Sequence, residues 1–138
     1  MPDSNFNLER NLSLVLRSFR TGIAASPFLD SELTEQAAYA IQYRLLGRLK
    51  ESGEIVRGHK VALTTKAARE HLGVEEPCFG HILDTRVYPN GSAVPLTELA
   101  DPHCEAEIAF ILKDDIKGPG TTPVQVMSSM NAVLPAIE

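Results

Sequence analysis

The chain has 138 residues, of which 43% are apolar and 22% charged, an ordinary composition for one globular domain with a sizeable core. Thirteen basic against eighteen acidic residues leave a formal charge of −5 with no basic run, which argues against nucleic acid as a partner. No apolar stretch reaches the length of a membrane span, and the start Met1-Pro2-Asp3-Ser4-Asn5 is no signal peptide. Cys78 and Cys104 form no CxxC pair and fit free thiols in a reducing cytoplasm, and the four histidines lack the short spacings that suggest zinc.

In chain order, Leu8, Leu12, Val15, Leu16 and Phe19 recur at helical spacing and predict an amphipathic helix, broken by Thr21-Gly22 and Ser26-Pro27. Asp30 and Ser31 open a second helix with Ala37, Ala38, Ile41, Leu45 and Leu49 on one face and Gly53 at its end. Ile55 to Thr64 reads as a strand, Lys66 to Leu72 as a short helix closed by Gly73, and His81 to Tyr88 as a strand ended by Pro89-Asn90-Gly91. A short extended piece at 93–96 is expected to pair back across that turn. Thr122, Pro123 and Gln125 form a helix start with a capping box, predicting a helix over about 122–134 that Pro135 ends. The expected organisation is a helical region over 1–54, then a mixed, mainly antiparallel β region over 55–138 holding that one helix: an α+β chain.

The run from His103 to Leu112 carries the densest chemistry. In an extended strand Glu105 and Glu107 share a face, while Cys104, Ala106, Ile108, Phe110 and Leu112 make an apolar face suited to a core. Two like charges side by side, with Glu138 as a third carboxylate, point to a hard cation such as Mg²⁺ or Mn²⁺. The plain alternative is a solvated outer face, which alternating strands commonly present. Lys60, between Gly58 and the apolar Val61-Ala62-Leu63, is the second unusual group. If partly desolvated it becomes a usable acid or base, and the plain alternative is a surface lysine. Asp84, Asp101, Asp114 and Asp115 read as turn or surface groups.

Five blocks follow one another in a familiar order: Ala38-Tyr39-Ala40-Ile41-Gln42, Gly58-His59-Lys60-Val61-Ala62-Leu63-Thr64-Thr65, Pro77-Cys78-Phe79-Gly80, Glu105-Ala106-Glu107-Ile108-Ala109-Phe110 and Pro135-Ala136-Ile137-Glu138. From about residue 35 onward the chain resembles the 2-keto-4-pentenoate hydratase and 4-oxalocrotonate decarboxylase family of the fumarylacetoacetate hydrolase superfamily, in its N-terminal half. The resemblance implies an incomplete β-rich catalytic body of that superfamily. It implies that Glu105, Glu107 and Glu138 chelate Mg²⁺ or Mn²⁺, that Lys60 is the acid/base, and that Thr65 and Phe79 contact substrate. The sequence departs from the usual Gly-Leu-Thr-Ser with Ala62-Leu63-Thr64-Thr65, which bears on substrate fit.

The implied activity is hydration of a 2-hydroxy-2,4-dienoate to a 4-hydroxy-2-oxo acid in aromatic catabolism, on a small 2-oxo or 2-hydroxy acid. The alternatives are 4-oxalocrotonate decarboxylation and, of another class, a non-catalytic or assembly subunit. Because family members continue past the third glutamate, the chain is expected to be truncated, a fragment or one piece of a split enzyme. Its expected state is a homo-oligomer or a complex with a partner subunit.

Overall fold

The computed structural model describes residues 7–25, 33–99 and 101–138. Two compact units divide the chain, Met1–Ala100 and Asp101–Glu138, a division that falls well after the expected boundary near residue 54.

In the first unit, helix α1 (Leu8–Thr21) opens on Asn7, whose side chain accepts from the Arg10 N–H, and closes on Gly22 in the left-handed region. Helix α2 (Glu35–Glu51) is capped by Thr34 and ends at Ser52, with Gly53 following at φ 100°. Its start expected at Asp30 and Ser31 lies outside the described residues. The two helices pack together, and Leu12, Ile41 and Leu49 are buried. The apolar periodicity read from the sequence therefore maps onto the faces that meet.

Strands β1 (Val56–Ala62) and β2 (Cys78–Leu83) pair antiparallel, with helix α3 (Lys66–Leu72) between them in sequence. A bulge at Arg57 breaks the register, and the Arg57 guanidinium pairs with the Asp84 carboxylate beyond the end of β2. The second strand thus lies earlier than the predicted 81–88, because residues Asp84–Arg86 turn into a 3₁₀ segment once Asp84 N–H bonds to Ile55 O. The expected extended piece at 93–96 is not a strand either: Leu96–Glu98 is a 3₁₀ turn.

In the second unit, strand β3 (Ala106–Leu112) pairs antiparallel with β4 (Met130–Ile137), and helix α4 (Pro123–Ser128) lies between them. The Thr122 capping box and Pro123 start this helix as predicted. The helix expected to run to about 134 stops at Ser128, because Met130 and Ala132 to Leu134 find ladder partners on β3. Backbone pairing with a neighbour outweighs the weak local preference of a short apolar run. The apolar face of β3, expected to pack a core, leaves Ile108 65% and Phe110 55% exposed. The architecture is α+β, with helices and two small antiparallel sheets.

Candidate functional site

Register builds the carboxylate cluster. Glu105 N–H bonds to Glu138 O at 2.7 Å and Glu138 N–H returns to Glu105 O at 3.0 Å, so the two residues form a reciprocal pair that extends the β3–β4 ladder by one rung. Directly opposed residues share a face, and Glu107 joins them by the two-residue period. Three residues separated by up to 33 positions thus present one face, and one oxygen from each lies within 4.8 Å of the others. All three side chains are exposed.

The donor set fits a hard divalent cation. Two oxygens bound to one ion at about 2.1–2.4 Å stand at most about 4.2–4.8 Å apart, so the observed span closes on a single centre with small side-chain movement. Three clustered carboxylates also repel one another, a cost that a divalent charge removes.

Lys60 lies on β1, half-buried, directly across from Gly80. Gly58 and Ala62 flank it on the same face, and a Cβ placed on Gly58 or Gly80 would meet nothing within 4 Å. The lysine therefore rises between small residues of its own strand with Gly80 across from it, and Ile82 and Cys78, opposite Gly58 and Ala62, stand to either side on the same face. Immediately after β1 the chain turns sharply at Leu63, whose φ of 58° is left-handed. Arg69 Nη1 donates to the carbonyls of Leu63 and Thr64 at 2.9 and 3.0 Å and holds this turn. Thr65 spends its hydroxyl oxygen capping α3, accepting from Ala68 N–H at 3.2 Å. Phe79 pairs with Val61, which places its ring on the other face of the sheet from Lys60, stacked on Tyr39 at 4.9 Å.

That second face holds a polar cluster the sequence did not disclose. His59 and His81 oppose each other across the ladder with their Nδ1 atoms 3.2 Å apart. Gln42 donates to Phe79 O, and Tyr39 accepts from Phe79 N–H, tying α2 to β2. His81 Nε2 and Gln42 Oε1 are buried with no hydrogen-bond partner among the described residues. Burial first, then His59 and Lys50, hold the His81 imidazole below its ordinary pKa. Residues 22 positions apart show no spacing signal; only strand pairing brings them together. Asp84, read as a turn group, is the partner of Arg57.

No model of a protein family matches the chain. It is 43% identical over 108 residues to a 2-hydroxypent-2,4-dienoate hydratase of Pseudomonas putida, covering 78% of this chain and 49% of that protein. It is 35% identical over 142 residues to a 2-hydroxyhexa-2,4-dienoate hydratase of Comamonas testosteroni, covering 100% of this chain and 53% of the relative. Among solved structures, 4-oxalocrotonate decarboxylase from Pseudomonas putida G7, complexed with magnesium and adipate, superposes with a TM-score of 0.79 at 29% identity, covering 99% of this chain and 54% of that one. The chain spans about half the length of the relatives it matches. Ordered blocks, fold and relatives agree: over about half of its relatives' length the chain is similar to the 2-keto-4-pentenoate hydratase and 4-oxalocrotonate decarboxylase family.

Proposed function

We propose that this chain carries metal-chelating and proton-transfer residues of a hydro-lyase that adds water to a 2-hydroxy-2,4-dienoate, giving a 4-hydroxy-2-oxo acid, in aromatic catabolism. The convergence of Glu105, Glu107 and Glu138 on one face is the observation that carries the reading. Its similarity to dienoate hydratases supports the substrate class. Mg²⁺ or Mn²⁺ held by the three carboxylates supplies Lewis-acid polarisation of a bound 2-oxo acid. Lys60 Nζ moves the proton between the 2-hydroxyl and the far carbon as the dienol becomes the conjugated ketone. Water then adds at C4. The open space over Gly58 and Gly80, bordered by Ile82 and Cys78, leaves room for a flat conjugated acid beside Lys60. Thr65 is assigned to substrate contact on the family resemblance, while Phe79 faces away from Lys60 and packs on Tyr39.

The working form is proposed as a homo-oligomer or a complex with a partner subunit, which the exposed Ile108, Phe110, Val133 and Ile137 support. The two free cysteines fit a reducing cytoplasm, and among the described residues no helix is long and apolar enough to cross a membrane.

Glu107→Gln tests the reading: Mg²⁺-dependent consumption of 2-hydroxypenta-2,4-dienoate should vanish, and retained activity would overturn it. A second reading, decarboxylation of 4-oxalocrotonate, draws on the structural likeness to a decarboxylase. Release of CO₂ from 4-oxalocrotonate, without hydration of the dienol, would favour it.

A further inference from the structure

The third carboxylate reaches the cluster only because of a defect in the ladder. Leu112 pairs with Met130, but Ile111 pairs with Ala132, so Asn131 is an extra residue bulged out of β4. A regular ladder continued from Leu112 and Met130 would instead set Glu105 against Ile137 and Glu107 against Pro135. Glu138 would then fall opposite Cys104 and turn to the other face of the sheet, because a one-residue slip exchanges the two faces.

Hydrogen-bond phase shows what excludes that regular ladder. Glu105 and Glu138 exchange both backbone bonds. Antiparallel rungs alternate, so Ala106 with Ile137 is non-bonded, Glu107 with Ala136 bonded, and Ile108 with Pro135 non-bonded. Proline has no N–H to give, and in the observed register none is asked of it. In the unbulged register Pro135 would sit on a bonded rung, leaving Glu107 O without its donor and driving the ring toward β3.

We propose that Pro135 is a positioning residue for the cation site: its missing N–H excludes the unbulged register, maintains the bulge at Asn131, and so keeps Glu138 on the face of Glu105 and Glu107. The inference rests on reading those carboxylates as the metal ligands. It assigns Pro135 no contact with metal or substrate.

The test uses the full chain, assembled by ligating a synthetic segment 104–138 at Cys104, with Pro135→Ala and Pro135→N-methylalanine. Alanine restores the N–H; N-methylalanine removes it again without restoring the ring. Close Hα–Hα contacts report register directly. The native set is Ala106 with Ile137, Ile108 with Pro135 and Phe110 with Val133; the slipped set is Ala106 with Ala136, Ile108 with Leu134 and Phe110 with Ala132. Pro135→Ala should show the slipped set beside the native one and weaken Mn²⁺ binding roughly two- to tenfold, as expected when one ladder hydrogen bond no longer separates the registers. Pro135→N-methylalanine should restore a single register and the original affinity.

A single native register in the alanine variant overturns the proposal, as does failure of N-methylalanine to restore what alanine loses, which would assign the effect to ring packing. Failure of the unaltered chain to bind Mn²⁺ would instead sink the metal reading, while the Hα contacts still decide the role of Pro135.

Discussion

At the scale of single residues, the two faces of the β1–β2 sheet do different work. Lys60 shares one with Gly58, Ala62, Gly80, Cys78 and Ile82, while His59, Phe79 and His81 occupy the other against α2. A Cβ added at Gly80 would meet no atom within 4 Å, so Gly80→Val should leave the fold and melting temperature near those of the parent chain. It should also lower dienoate turnover by roughly tenfold or more by filling the open space across from Lys60. Circular dichroism alongside a turnover assay checks both halves of that prediction. On the other face, His81 is neutral in the folded protein because burial, His59 and Lys50 all oppose its charge. As pH falls below about 6.5, the unfolded chain takes up a proton there that the folded chain still refuses. Stability from this group is therefore complete above about pH 6.5 and is lost as pH falls toward the lower folded pKa. Thermal melts between about pH 7.5 and pH 5.5 should show a fall in melting temperature that His81→Phe reduces.

At the scale of elements, short helices depend on their ends. Helix α4 has six residues, too few to persist by propensity alone, and its Thr122 hydroxyl accepts from Gln125 N–H while Gln125 Oε1 accepts from Thr122 N–H. Thr122→Ala should cost about 1 kcal/mol, seen as a lower urea midpoint at unchanged slope. Helix α3 shows the same economy: Thr65 starts it, Gly73 ends it at φ 68°, and Arg69 within it secures the carbonyls of the Leu63 turn. The Gly73 end of α3 and the Thr122 start of α4 were legible in the sequence, since a cap needs only neighbours along the chain; the Thr65 start of α3 was read instead as a substrate contact. The length of α4 was not, because Met130 and Ala132 to Leu134 exchange a local preference for a ladder whose other strand lies about twenty residues earlier in the sequence.

At the scale of the whole molecule, the cation should act as a ligand of the folded state. Anything that binds the folded chain alone stabilises it, by about 2.7 kcal/mol at a concentration one hundred times Kd. Mg²⁺ or Mn²⁺ should therefore raise the melting temperature, a chelator should reverse the rise, and Glu138→Gln should abolish it; a melting temperature insensitive to metal in the parent chain would contradict the site. The sequence by itself determined the helix faces, the Gly73 end of α3, the Thr122 start of α4, the Glu-x-Glu pair on one strand face and the lysine between small residues. Each follows from chain-local periodicity or from block order. Only the tertiary structure decided that Glu138 stands opposite Glu105, that His59 meets His81, and that Phe79 turns from Lys60 toward Tyr39. Those outcomes depend on the register between strands far apart in sequence, where one bulged residue decides which face a side chain joins.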